Sequence, residues 1–361
     1  MGMHQRLQIA RALATWTRDG SVAALATVVH SSSSAPRGLG AQLAIAPEAS
    51  RWTGGLSGGC AEVEVLDAAR AVLAGNGPSA LMLEMTRDDL GSAGPVCGAT
   101  LTVIVERADR ELAARYEDMV RLLVEGKPAK LTRAWSIDGP HERGISVIPG
   151  PAAVSTGDHE NEGVHWGADS NQLQLEVSMR PAQRIIIGGS GDVAVDLVGQ
   201  ARRLGWRWVL ADPRRAFLDA SLELLGIAAG TRGLIAAEPA GCISDTWPQQ
   251  MLDEVQTSSG DAVIACAHDS KLDMPLVAGA IAARAGYVGS IGSRVVQHQR
   301  REAIAELVGV IPDSYHGPAG LDLGGGDAAE IALSITSEIL AVMNHRSGTP
   351  LRDLTTPIRA R

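Results

Sequence analysis

The chain has 361 residues, of which 45% are hydrophobic, and it carries a formal net charge of −9 with a pI of about 5.5. This length is enough for two packed cores and too great for one ordinary domain. No basic run indicates a nucleic-acid surface, no apolar stretch reaches the length of a membrane span, and the N-terminus lacks the apolar segment of a signal peptide. We therefore expect a cytoplasmic protein whose four cysteines are free thiols.

The first part of the chain, residues 1–178, predicts an α+β domain. Residues 5–18 have apolar side chains at helical spacing, and apolar segments at 21–30 and 41–47 predict two strands on either side of a serine-rich loop. The predicted unit is a helix followed by a hairpin.

A helix and two strands recur in the same order at 117–149. At a constant offset of 106 residues, Gly20 aligns with Gly126, and a few further identities follow. We therefore predict two related halves, 5–50 and 115–150, although so few identities are also compatible with coincidence. The second half contains nothing like the segment SGGC of the first.

From residue 179 to 361 the pattern changes to strands that alternate with helices. Such alternation is typical of a parallel, doubly wound sheet. We predict an α/β protein in which the N-terminal α+β domain is followed by a Rossmann-like domain, with the linker at Met179 to Pro181.

A glycine loop follows the first strand of this second domain. Residues 189–194 read Gly-Ser-Gly-Asp-Val-Ala and fit the dinucleotide fingerprint between an apolar strand and a helix. Gly189 and Gly191 would let a phosphate approach the backbone, and Asp212 ends the next strand, where a ribose-binding acid is expected. The alternative is a tight strand-to-helix turn without a ligand.

Charged residues near this loop bear on its ligand. Asp192 favours the helix dipole from the first helical turn, but it repels a phosphate. Arg214 and Arg215 follow Asp212, where they could offset that repulsion or recognise a 2′-phosphate.

Further loops follow other predicted strands and should lie at the same edge of the sheet. Their polar residues include His268, Asp269, Ser293, Arg294 and Asp327. His268 with Asp269 is an acid–base candidate, or else a histidine at a strand end that is bonded to its neighbour. Asp327 and Glu330 predict a capping box at the start of the last helix.

The stretch LSGGCAEVEV places Cys60 directly after Gly58 and Gly59 and directly before a helical pattern. With Gly59 as the N-cap and Glu62 three residues later, Cys60 lies in the first turn of the helix. There the helix dipole would lower the pKa of the thiol, which suits a thiolate that contacts a ligand.

Other residues are weaker candidates for ligand contact. Cys97 also stands beside a glycine, before a strand, and Arg37 in the serine-rich loop could bind an anionic group. For Cys60 and Cys97 the alternative is a small buried hydrophobic residue, which is our interpretation of Cys266. The absence of a C-x-x-C pair argues against a structural zinc site.

Together these segments resemble the XdhC/CoxI family, in matching order over nearly the whole chain. The segments are LATVVHSSSSAPRG, LSGGCAEVEV, CGATLTVIVE, IIIGGSGDVA, ADPR, AHD, YVGSIGSR and GLDLGGGDAAEIALSITSEIL. The family comprises accessory proteins of xanthine dehydrogenase and related molybdenum hydroxylases. The resemblance implies an N-terminal XdhC/CoxI domain and a C-terminal Rossmann domain.

It also implies a maturation chaperone without independent turnover. Such a protein binds molybdenum cofactor, protects it during sulfuration by a cysteine desulfurase and delivers it to a hydroxylase. By the resemblance Cys60 is the first candidate to contact the cofactor, as a molybdenum-proximal ligand, and Cys97 is the next. Two departures weaken other roles: Asp192 stands where the family has histidine, and Ala99 stands where a second glycine follows Cys97 and Gly98.

Two other functions stay open at this point. One is an NAD(P)-dependent oxidoreductase that uses His268 and Asp269, and the other is a regulator that senses NAD(P) or another nucleotide. The chain has neither a cysteine set for iron–sulfur clusters nor room for a large molybdenum domain, so it is not itself expected to be xanthine dehydrogenase. A homodimer is a hypothesis that the sequence neither requires nor opposes.

Overall fold

The computed structural model describes residues 3–31, 39–57, 59, 62–85, 99–136, 144–149, 164–169, 172–228, 234–238 and 240–355. The chain forms two compact units and passes from the first to the second between Pro181 and Ala182. No helix in the described ranges is long and apolar enough to cross a membrane.

The first unit contains helices and antiparallel strands. Its helices are α1 (Met3–Trp16), α2 (Glu62–Leu73) and α3 (Arg110–Val124). Its strands are β1 (Ala23–Ser31), β2 (Gln42–Ile45), β3 (Trp52–Gly54), β4 (Ser79–Met85), β5 (Ala99–Ala108), β6 (Ala129–Ser136), β7 (Gly144–Pro149), β8 (Val164–Asp169) and β9 (Gln172–Met179).

These strands form two sheets with related topology. One sheet has the order β3-β2-β1-β5-β4, and the other has the order β7-β6-β9-β8, with antiparallel neighbours throughout. The likeness extends beyond the predicted halves: without β3 and α2, residues 3–108 and 110–179 share the same sequence of described elements and the same strand order, and we call these two segments the halves from here on. β1 begins at Ala23 and β6 at Ala129, which are 106 residues apart. An internal duplication would produce this arrangement.

Two apolar cores cover the five-stranded sheet. On one face α2 packs Val65, Ala69 and Val72 against strands β1, β2 and β5. The other core joins α1 and α3 to residues of β1 and β6, with Leu25 and Leu131 among its members. This follows from strand geometry, because neighbouring side chains along β1 point to opposite faces.

A buried ion pair joins the two sheets of this unit. Arg133 on β6 pairs with Glu106 on β5, and both side chains are almost completely buried. Nearby, Gln42 donates to Tyr116 of α3 and to Thr27 Oγ1, the latter at 3.2 Å. A charge in such a place requires its partner, since an unpaired buried charge is strongly destabilising.

The second unit is built on parallel strands with helices between them. Its helices are α4 (Asp192–Leu204), α5 (Arg215–Leu224), α6 (Pro248–Glu254), α7 (Ser270–Ala282), α8 (Arg294–Val308) and α9 (Ala328–Met343). Its strands are β10 (Arg184–Gly188), β11 (Arg207–Ala211), β12 (Ile235–Glu238), β13 (Gly241–Ser244), β14 (Asp261–Ala265), β15 (Tyr287–Ser290) and β16 (Tyr315–His316).

The strand order is β12-β13-β11-β10-β14-β15-β16, in which only β12 is antiparallel to its neighbour. Apart from β12, this is the order 3-2-1-4-5-6 of a doubly wound dinucleotide-binding sheet. The predicted Rossmann-like fold is therefore confirmed, and the point where strand order reverses lies between β10 and β14.

Both faces of this sheet are covered, as the buried strand patterns predict. Ile185 and Ile187 pack toward α4, α5 and α9, whereas Ile186 packs toward α6, α7 and α8. The predicted capping box at Asp327 and Glu330 is present at the start of α9. The sequence patterns do not predict β12 and β13, because these short segments carry no continuous run of β-branched or aromatic residues.

We expect the variant Glu106→Gln to lower the free energy of unfolding by about 3–5 kcal/mol, since it leaves Arg133 buried without a counter-charge. Urea denaturation would measure the change. The control Asp118→Asn removes an exposed partner of Arg121 and should cost less than about 1 kcal/mol. Equal losses in the two variants would contradict the importance of the buried pair.

Candidate functional site

The LSGG turn before α2 is held by one carboxylate. Glu62 Oε1 accepts hydrogen bonds from Leu56 N at 3.0 Å and Ser57 N at 3.1 Å. Glu62 Oε2 accepts from Ser57 Oγ at 2.6 Å and from Gly59 N at 2.9 Å. The last bond is the one that a capping box with Gly59 at the N-cap requires.

These bonds change the electrostatics of the turn. Burial alone would raise the pKa of Glu62, but the bonds from Ser57 Oγ and from the N–H groups of Leu56, Ser57 and Gly59 lower it to about 2. Glu62 is therefore ionised at neutral pH although it is only 8% exposed. The N–H groups of Leu56, Ser57 and Gly59 are thus bonded to Glu62 and are not open to an anion.

Some predicted residues of this region cannot be placed against that turn. Arg37, Gly58, Cys60 and Cys97 lie outside the described residues. Gly59 is exposed with φ 122°, and a Cβ there would meet no atom within 4 Å. Its glycine is required by the backbone conformation alone.

The glycine loop after β10 also satisfies its own N–H groups. Gly189 N donates to Ala211 O at 2.8 Å, and Ser190 N donates to Asp212 Oδ2 at 2.8 Å. Gly191 N donates to Ser221 Oγ at 3.1 Å. These three groups are thus bonded within the protein, and a phosphate would have to use N–H groups further into α4.

The two glycines of the fingerprint, Gly189 and Gly191, differ in the space around them. A Cβ on Gly189 would lie 2.3 Å from Ala267 N, because the end of β14 passes directly against the loop. A Cβ on Gly191, where φ is 146°, would meet nothing within 4 Å. The space beside Gly191 is therefore the place where a ligand can approach the loop.

Asp212 lies where the fingerprint predicts its acid, but it binds protein groups. It is completely buried, and its carboxylate accepts Ser190 N and Arg214 N, the latter at 2.9 Å. Arg214 Nε and Nη2 also donate to the two carboxylate oxygens, at 3.0 and 2.8 Å. Asp212 thus connects the glycine loop to Arg214 and has little capacity left for ribose hydroxyls.

Four other predicted residues follow β14 and β15, at the same edge of the sheet as the glycine loop. His268 is exposed with φ 53°, and Asp269 caps α7 by accepting from Lys271 N at 2.9 Å. Ser293 caps α8, and Arg294 is exposed. The sheet brings these residues to one edge, where Asp269 and Ser293 serve the helices that follow them.

A buried network that the sequence patterns do not predict holds the loops after β14 and β15. Asp273 accepts from Ala267 N at 3.0 Å and pairs with Arg300 Nη2 at 2.7 Å. Arg300 Nη1 donates to Ser290 Oγ at 2.6 Å and to Ile291 O at 2.9 Å. In the sequence, Asp273 and Arg300 are ordinary helix charges with no motif that could identify them.

A fourth carboxylate, that of the half-buried Glu338, organises the loop before α9. Glu338 accepts from Tyr287 Oη at 2.5 Å and from Gly320 N at 2.8 Å, and it lies 3.2 Å from His316 Nδ1. Burial would raise the pKa of Glu338, but these three partners outweigh it and lower the pKa. The rings of Tyr287 and His316 stack with their centroids 4.4 Å apart.

The described cysteines are not activated. Cys266 is buried and donates to Gly189 O at 3.5 Å, and burial raises the pKa of its thiol. Burial also raises the pKa of the half-buried Cys242 thiol. Within the described residues, no group of three or more His, Cys, Asp or Glu side chains could hold a metal ion.

Comparison with known proteins finds two family models that match separate parts of the chain. Residues 16–84 match the model of the XdhC and CoxI family, and residues 185–339 match that of the XdhC Rossmann domain. The chain belongs to the XdhC and CoxI family. The first match includes the turn that Glu62 closes, and the second extends from β10 to α9.

Two relatives span nearly the whole of this family member. This chain is 25% identical over 346 residues to a Bacillus subtilis (strain 168) protein named as a probable xanthine dehydrogenase subunit. The alignment covers 89% of this chain and 93% of the relative. A crystal structure described as a xanthine dehydrogenase from Bacillus halodurans has the same fold, with a TM-score of 0.71 at 21% identity. That similarity covers 94% of this chain and 96% of the other.

We expect Glu62→Gln to lower the free energy of unfolding at pH 7 by about 2–3 kcal/mol, because the variant loses charge-assisted bonds to the turn. In the unfolded chain the carboxyl has a pKa near its ordinary value of 4.5, and in the folded chain its pKa is about 2. The stabilisation is therefore fully present above about pH 4.5 and is lost as the pH falls toward 2. Denaturation curves collected across this range would measure it.

The matched control for this variant is Glu64→Gln on the exposed side of the same helix. It removes the same charge without touching the turn, so the loss of stability should be small at every pH. If both variants change stability equally and with the same pH dependence, Glu62 has no special role in the turn.

The two glycines of the second unit give a further matched pair. Both have a backbone conformation that disfavours other residues, so Gly191→Ala should cost about 1–3 kcal/mol of unfolding free energy. Gly189→Ala should cost clearly more, since its Cβ also collides with the backbone of Ala267. Urea denaturation measures both, and an equal or smaller loss in Gly189→Ala would contradict the close approach of β14.

Proposed function

We propose that this family member is a maturation factor for a molybdenum hydroxylase of the xanthine dehydrogenase type. In this proposal it binds molybdenum cofactor as cargo in the cytoplasm, holds it for sulfuration by a cysteine desulfurase and delivers it to the hydroxylase. Family membership and the relative named as a probable xanthine dehydrogenase subunit support the assignment to this system.

The observation that carries the proposal is the turn fixed by Glu62. Glu62 holds Leu56, Ser57 and Gly59 by four hydrogen bonds, and Cys60 is the next residue after Gly59. These bonds hold the backbone on the N-terminal side of Cys60. In this proposal the turn supports the residue that follows it, while the N–H groups of Leu56, Ser57 and Gly59 are bonded to Glu62.

The chemistry of a cysteine suits this cargo. A thiolate is a soft ligand for a metal held by sulfur, and it can also carry sulfur transiently as a persulfide. Glu62 is not a competing metal ligand in this proposal, because both oxygens of its ionised carboxylate accept hydrogen bonds from the turn. We assign to Cys60 the contact with the cargo and to Glu62 the positioning of the turn.

A nucleotide-sensing regulator is the second candidate function. The strand order and the glycine loop of the Rossmann unit favour it. An oxidoreductase has less support, because Asp269 uses its carboxylate to cap α7 and His268 is exposed at a loop. Titration of the protein with NAD, NADP and CTP would separate the regulator from a protein that binds no nucleotide.

We expect the purified wild-type protein to bind molybdenum cofactor under anaerobic conditions and Cys60→Ala to lose most of it, by tenfold or more in retained molybdenum, roughly the loss of a first ligand contact. Pterin fluorescence and molybdenum content would be measured together. Cys242→Ala is the matched control, because it removes a thiol from the Rossmann unit and should leave cofactor binding unchanged.

If Cys60→Ala still binds the cofactor, Cys60 is not the contact residue, and Cys97→Ala would be the next variant to test. No binding by the wild-type protein, under conditions in which a known carrier of the cofactor binds it, would contradict the proposed function. It would then favour the regulator.

A further inference from the structure

Arg214 lies across the mouth of the Rossmann crevice. Its guanidinium bonds Asp212 through Nε and Nη2, and its Nη1 donates to Ala267 O at 3.2 Å. Asp212 directly follows β11, and Ala267 lies two residues beyond β14. Because β10 is the strand between β11 and β14, the arginine spans the carboxyl end of β10, where its glycine loop begins.

This is the place where a doubly wound sheet binds the phosphates of its ligand. In the usual arrangement the acid after the second strand binds ribose hydroxyls. Here that acid is buried and instead orients an arginine by two parallel hydrogen bonds, the geometry with which guanidinium groups bind carboxylates. The polar group that the crevice presents in this position is therefore a cation.

The three contacts of Arg214 are not equivalent. The two bonds to Asp212 are charge-assisted and measure 3.0 and 2.8 Å, whereas the bond to Ala267 O is neutral on one side and longer, at 3.2 Å. A phosphate oxygen would bind Nη1 more strongly than a carbonyl does. It could replace Ala267 O while Asp212 keeps the guanidinium oriented.

A buried hydroxyl at the same loop also lacks a partner. Ser190 Oγ is inaccessible to solvent, and it has no hydrogen-bond partner among the residues that the structure describes. Buried hydroxyls are normally bonded, and an unpaired one calls for a group that the protein itself does not provide. The N–H of this same Ser190 binds Asp212, so the hydroxyl belongs to the assembly that holds Arg214.

We propose that the Rossmann crevice binds the phosphomonoester group of its ligand through Arg214, with Asp212 as the residue that positions the arginine. The crevice then selects its ligand by a terminal phosphate and not by ribose hydroxyls. NADP meets this requirement through its 2′-phosphate, as does a pterin that carries a phosphate, whereas NAD does not.

Two neighbouring residues modulate this site. Phe217 is 55% exposed, and the guanidinium carbon of Arg214 lies 4.5 Å from its ring centroid, so an aromatic face is available at the rim. Asp192 is exposed in the first turn of α4 and adds a negative charge near the loop. The first residue favours a flat heterocycle, and the second weakens phosphate binding.

The test uses two pairs of probes that differ by a phosphate, titrated calorimetrically into the full-length protein. The first pair is NADP and NAD, and the second is the oxidised fluorescent pterin of molybdopterin with and without its phosphate. We expect the phosphorylated member of at least one pair to bind about tenfold more tightly or better, as one charge-assisted contact provides. The pair that responds distinguishes a nucleotide from a pterin phosphate.

Two variants distinguish a direct contact of Arg214 with the phosphate from a nonspecific effect of removing one positive charge. Arg214→Gln should bring the ratio within each pair close to one, and the control Arg215→Gln should keep it. Arg215 is the next residue, is 57% exposed and pairs with Asp245, so its replacement removes the same charge from outside the crevice. Asp192→Asn should change affinity in the opposite direction and strengthen binding of the phosphorylated probe.

Equal affinities within both pairs in the wild-type protein, or a preference that survives Arg214→Gln, would overturn the proposal. So would the absence of binding by all four probes. If Arg214→Gln does not fold, the wild-type protein can be tested by adding inorganic phosphate to the complex with the phosphorylated probe. Phosphate should displace that probe if its phosphate occupies the proposed site, and a lack of displacement would overturn the proposal. None of these measurements involves Cys60, so the cofactor test of the first unit can succeed or fail independently.

Discussion

Buried carboxylates that accept backbone N–H groups are the interaction on which the candidate sites depend. Glu62 holds the LSGG turn, Asp212 holds Ser190 of the glycine loop, and Asp273 holds Ala267 beyond β14. Glu338 does the same for Gly320 before α9. Loops rich in glycine have high conformational entropy in the unfolded chain, and a carboxylate acceptor offsets that cost by holding their donors together.

This constraint also limits what the sites can bind. A glycine loop acts as an anion site through free N–H groups, but a carboxylate that takes those groups also brings a negative charge. In the first unit the proposed ligand contact is the thiol of Cys60, the residue after Gly59. In the second unit Arg214 restores a positive charge above the loop, bonded to the same Asp212. In both proposals a side chain next to a carboxylate-held loop, rather than the loop backbone, contacts the ligand.

The fold was largely predictable from the sequence, whereas the construction of the sites was not. Alternating apolar strands and helices, together with the fingerprint at Gly189 and Gly191, predict the doubly wound sheet and place Asp212 at the end of β11. They do so because strand burial and strand-to-helix turns leave local patterns. The partner of Asp212 is not local information: an acid in that position could equally face a ribose. The bonds of Glu62 to Leu56 and Ser57 likewise exceed the capping box that its spacing predicts, because they depend on how the turn folds back over the helix start.

Among the described elements of the first unit, the candidate site lies in the half that contains β3 and α2. The two halves share a helix, a hairpin and two further strands in the same order, and α1 and α3 pack in one core between them. The first half additionally contains β3 and α2, and the turn that Glu62 closes lies between these two elements. α2 covers a face of the five-stranded sheet with Val65, Ala69 and Val72, so it is anchored by its own apolar core. A repeated scaffold therefore supplies stability, and the added segment carries a turn whose geometry can be selected for binding without disturbing the sheets beneath it.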